Sequence, residues 1–174
     1  MFIYETNIDK KICKKLIDVY ENDSNKEATN THRTKMTQLF LNRKDGRLFD
    51  YLTALHKILQ KYKKKYKHID EGQQPWELNS TIKIQKYKPG ESYFSWHTES
   101  TGHQGSNNRV LVFSTFLNDI KKGGETEFFY QKEKVKAQEG KTIIFPPFWT
   151  HTHKGNVAKE TKYIITGWYT YAYK

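Results

Sequence analysis

Thr81-Ile82-Lys83-Ile84-Gln85-Lys86-Tyr87 alternates apolar and polar side chains, and Pro89-Gly90 follows as a turn. Period two marks a half-buried strand, because successive side chains point to opposite faces. The same texture continues to residue 171. Further strands are expected over 93–97, 110–117, 126–130, 133–137, 142–145 and 163–171, with turns at 118–124 and a polar, glycine-containing loop at 100–108.

Upstream the period changes. Ile8, Ile12, Leu16, Val19 and Tyr20 fall on one side of a helix expected over 8–21, with Asn7 as its N-cap. Residues 22–35 are polar without an apolar period and read as a loop; 36–41 reads as a short strand, as does 1–4. A second helix over 45–66 carries Leu48, Phe49, Leu52, Leu55, Ile58, Leu59 and Tyr62 as its apolar stripe. Its end is rich in lysine, which suits the partial negative charge of a helix C-terminus. Two helices followed by about eight short strands predict a mainly β (α+β) chain: a double-sheet jelly roll with helices against its outer face. One domain is expected over 1–174, with 1–80 as helical support and 81–174 as the jelly-roll core.

Thirty Lys+Arg against nineteen Asp+Glu give a net charge of +11, which favours acidic partners. A lysine-rich solvated surface accounts for most of it, since the lysines concentrate in the two helical segments. Aromatics make up 15% of the chain, enough to fill a sheet interior, and exclude a disordered composition. The one cysteine, Cys13, excludes an internal disulfide and a cysteine-based metal site. With no signal-peptide pattern and no membrane-spanning run, a cytoplasmic protein is expected. The sequence carries no signal of oligomeric state.

The chemistry concentrates in Trp96-His97-Thr98-Glu99 and His151-Thr152-His153. His97 and Glu99, two apart on a strand, would face one cavity. Two imidazoles and one carboxylate bind Fe(II) while leaving coordination positions open for reactants. His151 and His153 are also two apart, so either could be the third ligand. Lys162 lies on an apolar strand, where burial without a partner is costly and a carboxylate ligand would relieve the cost.

Tyr87-x-x-Gly90-x-x-Tyr93-x-x-x-His97-x-Glu99, Arg109, Gly123-Gly124-Glu125-Thr126-x-Phe128, Gly140-x-x-Ile143-Ile144-Phe145, His153-x-Gly155-x-Val157 and Lys162-Tyr163-x-x-x-x-Trp168 together resemble the prolyl 4-hydroxylase branch of the Fe(II)/2-oxoglutarate-dependent dioxygenases. The resemblance covers about half the chain, and its motifs stand in the family's order and spacing. It implies a double-stranded β-helix and selects His153 over His151, because the family's distal ligand precedes a glycine, a valine and then a basic residue. It implies His97, Glu99 and His153 as metal ligands. Lys162 is implied on the distal carboxylate of 2-oxoglutarate, with Tyr87 and Thr126 also at the cosubstrate and Arg109 and Trp168 at the substrate. Trp149, Phe94 and Tyr93 are further residues that could line the mouth.

The implied activity is hydroxylation of an unactivated C–H bond, most simply of a peptidyl proline. O2 and 2-oxoglutarate are consumed and succinate and CO2 released, with ascorbate as auxiliary reductant. A free amino acid or another protein side chain is the alternative. Nucleic-acid demethylation is not favoured, because those relatives carry arginines after the distal histidine where this chain has Lys162. A non-catalytic module on the same fold would show a broken trio. The departure is Glu99, one methylene longer than the family's usual aspartate.

Overall fold

The computed structural model describes residues 2–172. Eleven strands and two helices follow in the order β1 (Tyr4–Asn7), α1 (Lys10–Asn22), β2 (Lys26–Asn30), β3 (Lys35–Asn42), α2 (Phe49–Lys65), β4 (Trp76–Leu78), β5 (Thr81–Tyr87), β6 (Arg109–Phe116), β7 (Thr126–Phe128), β8 (Glu133–Val135), β9 (Lys141–Phe145), β10 (His153–Gly155) and β11 (Lys162–Tyr171). The major sheet runs β1-β9-β6-β11-β5-β3-β2, with β4 paired to the end of β11; the minor sheet is β10-β7-β8. Residues before Thr81 thus add four strands to the major sheet as well as the helices.

The central strands of the major sheet are buried on both faces, and strand parity divides them between two cores. Ile82 and Ile84 on β5, Leu111 and Phe113 on β6, Ile144 on β9 and Ile165 and Tyr169 on β11 pack against Cys13, Leu16 and Tyr20 of α1 and Tyr51, Leu55, Ile58 and Tyr62 of α2. The alternate residues Val112, Phe116, Ile143, Phe145 and Trp168 turn inward and meet Phe128 and Val135 of the minor sheet. A strand buried on both sides is apolar over most of its length, which is why β6 reads as the hydrophobic run Val110-Leu111-Val112-Phe113 before Ser114 and Thr115. The expected jelly-roll layering with external helices is present. Among the described residues, no helix is long and apolar enough to cross a membrane.

Several local expectations are corrected. Asp9, rather than Asn7, caps α1, its carboxylate accepting from Lys11 N at 2.8 Å. Asn7 instead ends β1, which pairs with β9. The strand expected at 1–4 sits at Tyr4–Asn7; Met1 lies outside the described residues. The segment expected to be a loop over 22–35 contains β2, a polar edge strand held by its ladder with β3. With polar side chains on both faces it has no periodic signal to read. Lys26, at its start, donates to the carbonyls of Tyr20, Glu21 and Asp23 at the end of α1. Conversely, 93–97 is no regular strand: Tyr93 and His97 each make one isolated bridge, to Thr34 and His153. β4 and β10, three residues each, have no sequence signal of their own and exist through pairing with β11 and β7.

Gly123 is constrained twice. Its φ is +80°, and a Cβ there would lie 2.1 Å from the Val157 carbonyl oxygen, where Gly123 bridges Ala158. Gly105 has a similar φ of +87° but open space around it. Gly123→Ala is therefore expected to cost about 2–4 kcal/mol, and Gly105→Ala only about 1 kcal/mol, in urea unfolding. Equal costs would show that the close approach at Gly123 is unimportant.

Candidate active site

The inward face of the major sheet and the minor sheet enclose a cavity of about 350 Å³. Parity decides what reaches it. Lys83, Gln85 and Tyr87 of β5 and Lys162, Ile164, Thr166 and Trp168 of β11 line it, as do Thr126 of β7 and His153 and Gly155 of β10. Lys162 and Trp168 share this face because their separation is even.

His97, Glu99 and His153 converge on the cavity, one ligand atom of each within 4.8 Å of the others. Glu99 Oε1 lies 3.5 Å from His97 Nε2 and 3.6 Å from His153 Nε2. The backbones of His97 and His153 exchange two 2.9 Å hydrogen bonds, so a single bridge across 56 positions of sequence sets the imidazoles side by side. His97 is stacked by the Tyr93 ring at 3.8 Å, while His153 packs on Phe128 and Phe145.

Each imidazole has its second nitrogen engaged. His97 Nδ1 donates to Ser95 O at 3.0 Å and His153 Nδ1 to His151 O at 2.9 Å. A carbonyl can only accept, so the proton of the neutral ring sits on Nδ1 and the Nε2 lone pair faces the cavity. This is the tautomer a metal ligand needs.

Glu99 is held by its other oxygen. Oε2 accepts from Arg109 Nη1 and Trp168 Nε1, both at 2.9 Å, and Arg109 Nη1 also donates to Glu99 O at 2.6 Å. The guanidinium lies 3.8 Å from the Trp168 ring centroid. Burial pushes the Glu99 carboxyl up, but in the metal-free site a proton and its positive charge on the Nε2 side of the His153 and His97 imidazoles outweigh it and hold the group well below the usual carboxylate range; a bound cation would take the place of those protons. Oε1 therefore stays anionic and faces the two Nε2 atoms. The longer side chain of glutamate is accommodated by a two-donor clamp on its far oxygen.

Lys162 is 3% exposed and donates to Gly124 O at 3.1 Å, with its ammonium 4.9 Å from the Tyr87 ring centroid. Burial pushes it down to about 8, Glu125 opposing. Among the described residues no carboxylate pairs with it at salt-bridge distance. Gly155 leaves it room: a Cβ there would stand 2.8 Å from Ser92 Oγ and 3.7 Å from Lys162 Nζ. A buried cation short of a counter-charge beside a cleared floor fits an organic carboxylate. His–Glu–His donors with free lone pairs fit a divalent transition metal.

His97, Glu99, His153, Lys162, Tyr87, Thr126, Arg109 and Trp168 all reach this one cavity. Arg109 and Trp168, expected at the substrate, touch Glu99 directly. Tyr93 lines the cavity; Phe94 and Trp149 lie exposed outside it. His151 is buried outside the trio and contributes its carbonyl. The sequence reading missed Lys83, although it stands four residues before Tyr87 on one strand and so on the same face.

Residues 82–170, just over half the chain, match the 2OG-Fe(II) oxygenase superfamily. No curated protein matches the sequence. Similar solved structures include the viral collagen prolyl hydroxylase of Paramecium bursaria Chlorella virus-1 in its 2OG complex. That chain is 17% identical with a TM-score of 0.74, covering 99% of this chain and 97% of that one. A Pseudomonas putida prolyl-4-hydroxylase is 13% identical with a TM-score of 0.76, covering 99% and 94%. A Trichoplax adhaerens prolyl hydroxylase, complexed with a peptide fragment of the hypoxia inducible factor oxygen degradation domain, is 12% identical with a TM-score of 0.75, covering 97% and 83%. At these identities the likeness is one of fold, and it agrees with the jelly-roll layers described above. The matched segment contains the whole His–Glu–His trio and the buried lysine beside it, and this chain belongs to the 2OG-Fe(II) oxygenase superfamily.

Proposed function

We propose that this chain hydroxylates a proline within a peptide or protein, using Fe(II), 2-oxoglutarate and O2. The observation that carries the reading is the trio His97, Glu99 and His153, with an Nδ1 anchor on each imidazole, beside the buried Lys162, which has no carboxylate partner among the described residues. When bound, Fe(II) with 2-oxoglutarate and O2 supplies oxidising power sufficient for an unactivated C–H bond, and 2-oxoglutarate leaves as succinate and CO2.

The chain's residues have distinct tasks. His97 Nε2, His153 Nε2 and Glu99 Oε1 hold the metal; Ser95 O and His151 O keep the imidazoles oriented through their Nδ1 protons. Arg109 and Trp168 are positioning residues that fix the Glu99 carboxylate. Lys162 grips the distal carboxylate of 2-oxoglutarate, with Tyr87 and Thr126 alongside. The apolar walls from Val112, Phe116, Ile143 and Phe145 keep water from the reacting centre. Proline as target is supported by the family resemblance of the 82–171 motifs and by the shared fold with enzymes named as prolyl hydroxylases. Ascorbate serves as auxiliary reductant. Cys13, the one cysteine, is a buried free thiol, consistent with a reducing cytoplasm.

Anaerobic addition of Fe(II) and 2-oxoglutarate should produce a weak visible charge-transfer band. Succinate should then form with proline-containing peptides in preference to free proline and methylated oligonucleotides. No band and no succinate would reject the enzyme reading; succinate with the oligonucleotide alone would reject the peptide.

Arg109→Met leaves Glu99 Oε2 short of its charged donor. It is expected to weaken Fe(II) binding about 10–100-fold, as loss of a partner to a metal ligand commonly does. Titration of the same band measures this, and unchanged affinity would show that Arg109 does not position Glu99.

A further inference from the structure

Four ammonium or guanidinium groups line the cavity, and three have defined occupations. Lys162 serves the cosubstrate in the reading above, Arg109 is hydrogen-bonded to Glu99, and Lys154 stands 3.9 Å from Glu127 with its ammonium 4.5 Å from the Trp96 ring centroid. The fourth is Lys83 in the middle of β5. It has no hydrogen bond and no ion pair among the described residues. Its ammonium lies 4.7 Å from the Trp168 ring centroid and 5.6 Å from that of Phe40. Burial pushes it down from its ordinary value, with Glu99 pulling the other way and Arg109 adding to the depression. That one carboxylate is already engaged by Arg109 and Trp168.

Lys83 and Lys162 serve different regions of the cavity. In the β5–β11 ladder Lys162 stands opposite Tyr87 and Lys83 opposite Thr166. Four residues of strand separate the two levels, roughly 13 Å at about 3.3 Å per residue. A small dicarboxylate gripped by Lys162 leaves Lys83 available. Lys83 is partly buried, and attraction to two aromatic faces does not replace the share of water it has lost; an apolar side chain would cover Trp168 equally well. The position makes physical sense when an anion enters with the substrate.

We propose that Lys83 is a specificity-determining residue that binds a carboxylate of the substrate, so that the enzyme favours a target residue carrying or adjoining a carboxylate. The proposal rests on the dioxygenase reading and deepens it. The carboxylate has two sources: an acidic side chain next to the target proline in a peptide, or the α-carboxylate of the target residue itself.

The test pairs each ligand with its neutral isostere: proline peptides flanked by Asp or Asn, and free proline against prolinamide. Calorimetric binding to the anaerobic Fe(II)/2-oxoglutarate complex and KM for succinate release are both read. The carboxylate member of at least one pair should bind about tenfold more tightly than its isostere, and the pair that shows this identifies the source. Lys83→Met should bring that ratio to about one, Lys83→Arg should restore it, and Lys83→Glu should shift preference to a Lys-flanked peptide. Melting temperatures establish that the variants fold. If Lys83 only packs on Trp168, Lys83→Met leaves the ligand ratio intact, and that result overturns the proposal. So does an absence of charge preference in the wild type. Succinate absent with every ligand would reject the dioxygenase reading, while the binding ratios, repeated on the metal-free protein, still decide the role of Lys83.

Discussion

His153→Ala removes the charge-transfer band and reduces succinate formation at least about 10³-fold, whereas His151→Ala keeps the band. Of these two histidines, His153 directs Nε2 at Glu99 Oε1 and His151 does not belong to the trio. It can do so because its backbone is bridged to His97 and its Nδ1 proton is tied to His151 O. His151 serves through a main-chain carbonyl, which alanine retains. Its buried ring does contribute packing, so His151→Ala should lower the melting temperature while leaving the metal donors in place. The opposite outcome, a band lost with His151 and kept without His153, would show that the ligand set is wrong.

Lys162→Met should weaken 2-oxoglutarate binding about 10²–10³-fold, because a buried carboxylate would lose its cationic partner. The same substitution should raise the melting temperature of the cosubstrate-free protein, since it removes a buried cation that lacks a counter-charge. Opposite signs in affinity and stability separate a binding role from a structural one. pH offers a second check. Lys162 titrates at about 8 in the folded protein and at its ordinary value of 10.5 when exposed. Between these values the unfolded chain binds the extra proton, so wild-type stability should rise with pH across that window. Below about 8 the cost of the buried ammonium is fully present. Binding a carboxylate requires that ammonium, so 2-oxoglutarate affinity should fall about tenfold per pH unit above about 8. In Lys162→Met both slopes should disappear. A wild-type affinity flat from pH 7 to pH 10 would place the cosubstrate carboxylate elsewhere.

Much of the fold was legible because its signals are local. The alternation of Ile82 and Ile84 with Lys83 and Gln85 identified β5, and the apolar spacing of Leu48, Leu52, Leu55 and Leu59 identified α2. β2 was not legible, because Lys26–Asn30 is polar on both faces and is a strand only through β3. The segment at 93–97 failed in the opposite sense. Its residues suit a strand, but each end makes one bridge and the chain turns away toward Pro147, whose carbonyl accepts from both Glu99 N and Ser100 N. His97 and Glu99 still converge, by this turn and not by strand parity.

The division within the site follows the same logic. Residue types and spacing alone determined that the chain carries two imidazoles, a carboxylate and a strand-borne lysine, and that Lys162 and Trp168 share a face, because donor chemistry belongs to the residue and parity to the local backbone. Only the tertiary structure decided which nitrogen of each imidazole is free, that Arg109 and Trp168 clamp the longer Glu99 carboxylate, and that Lys83 enters the cavity without an anion. The imidazole protons answer to carbonyls two residues away, set by a backbone turn that residue types do not reveal, whereas Glu99 and Lys83 meet Trp168 across 69 and 85 residues of sequence, contacts that exist only once the sheets have closed.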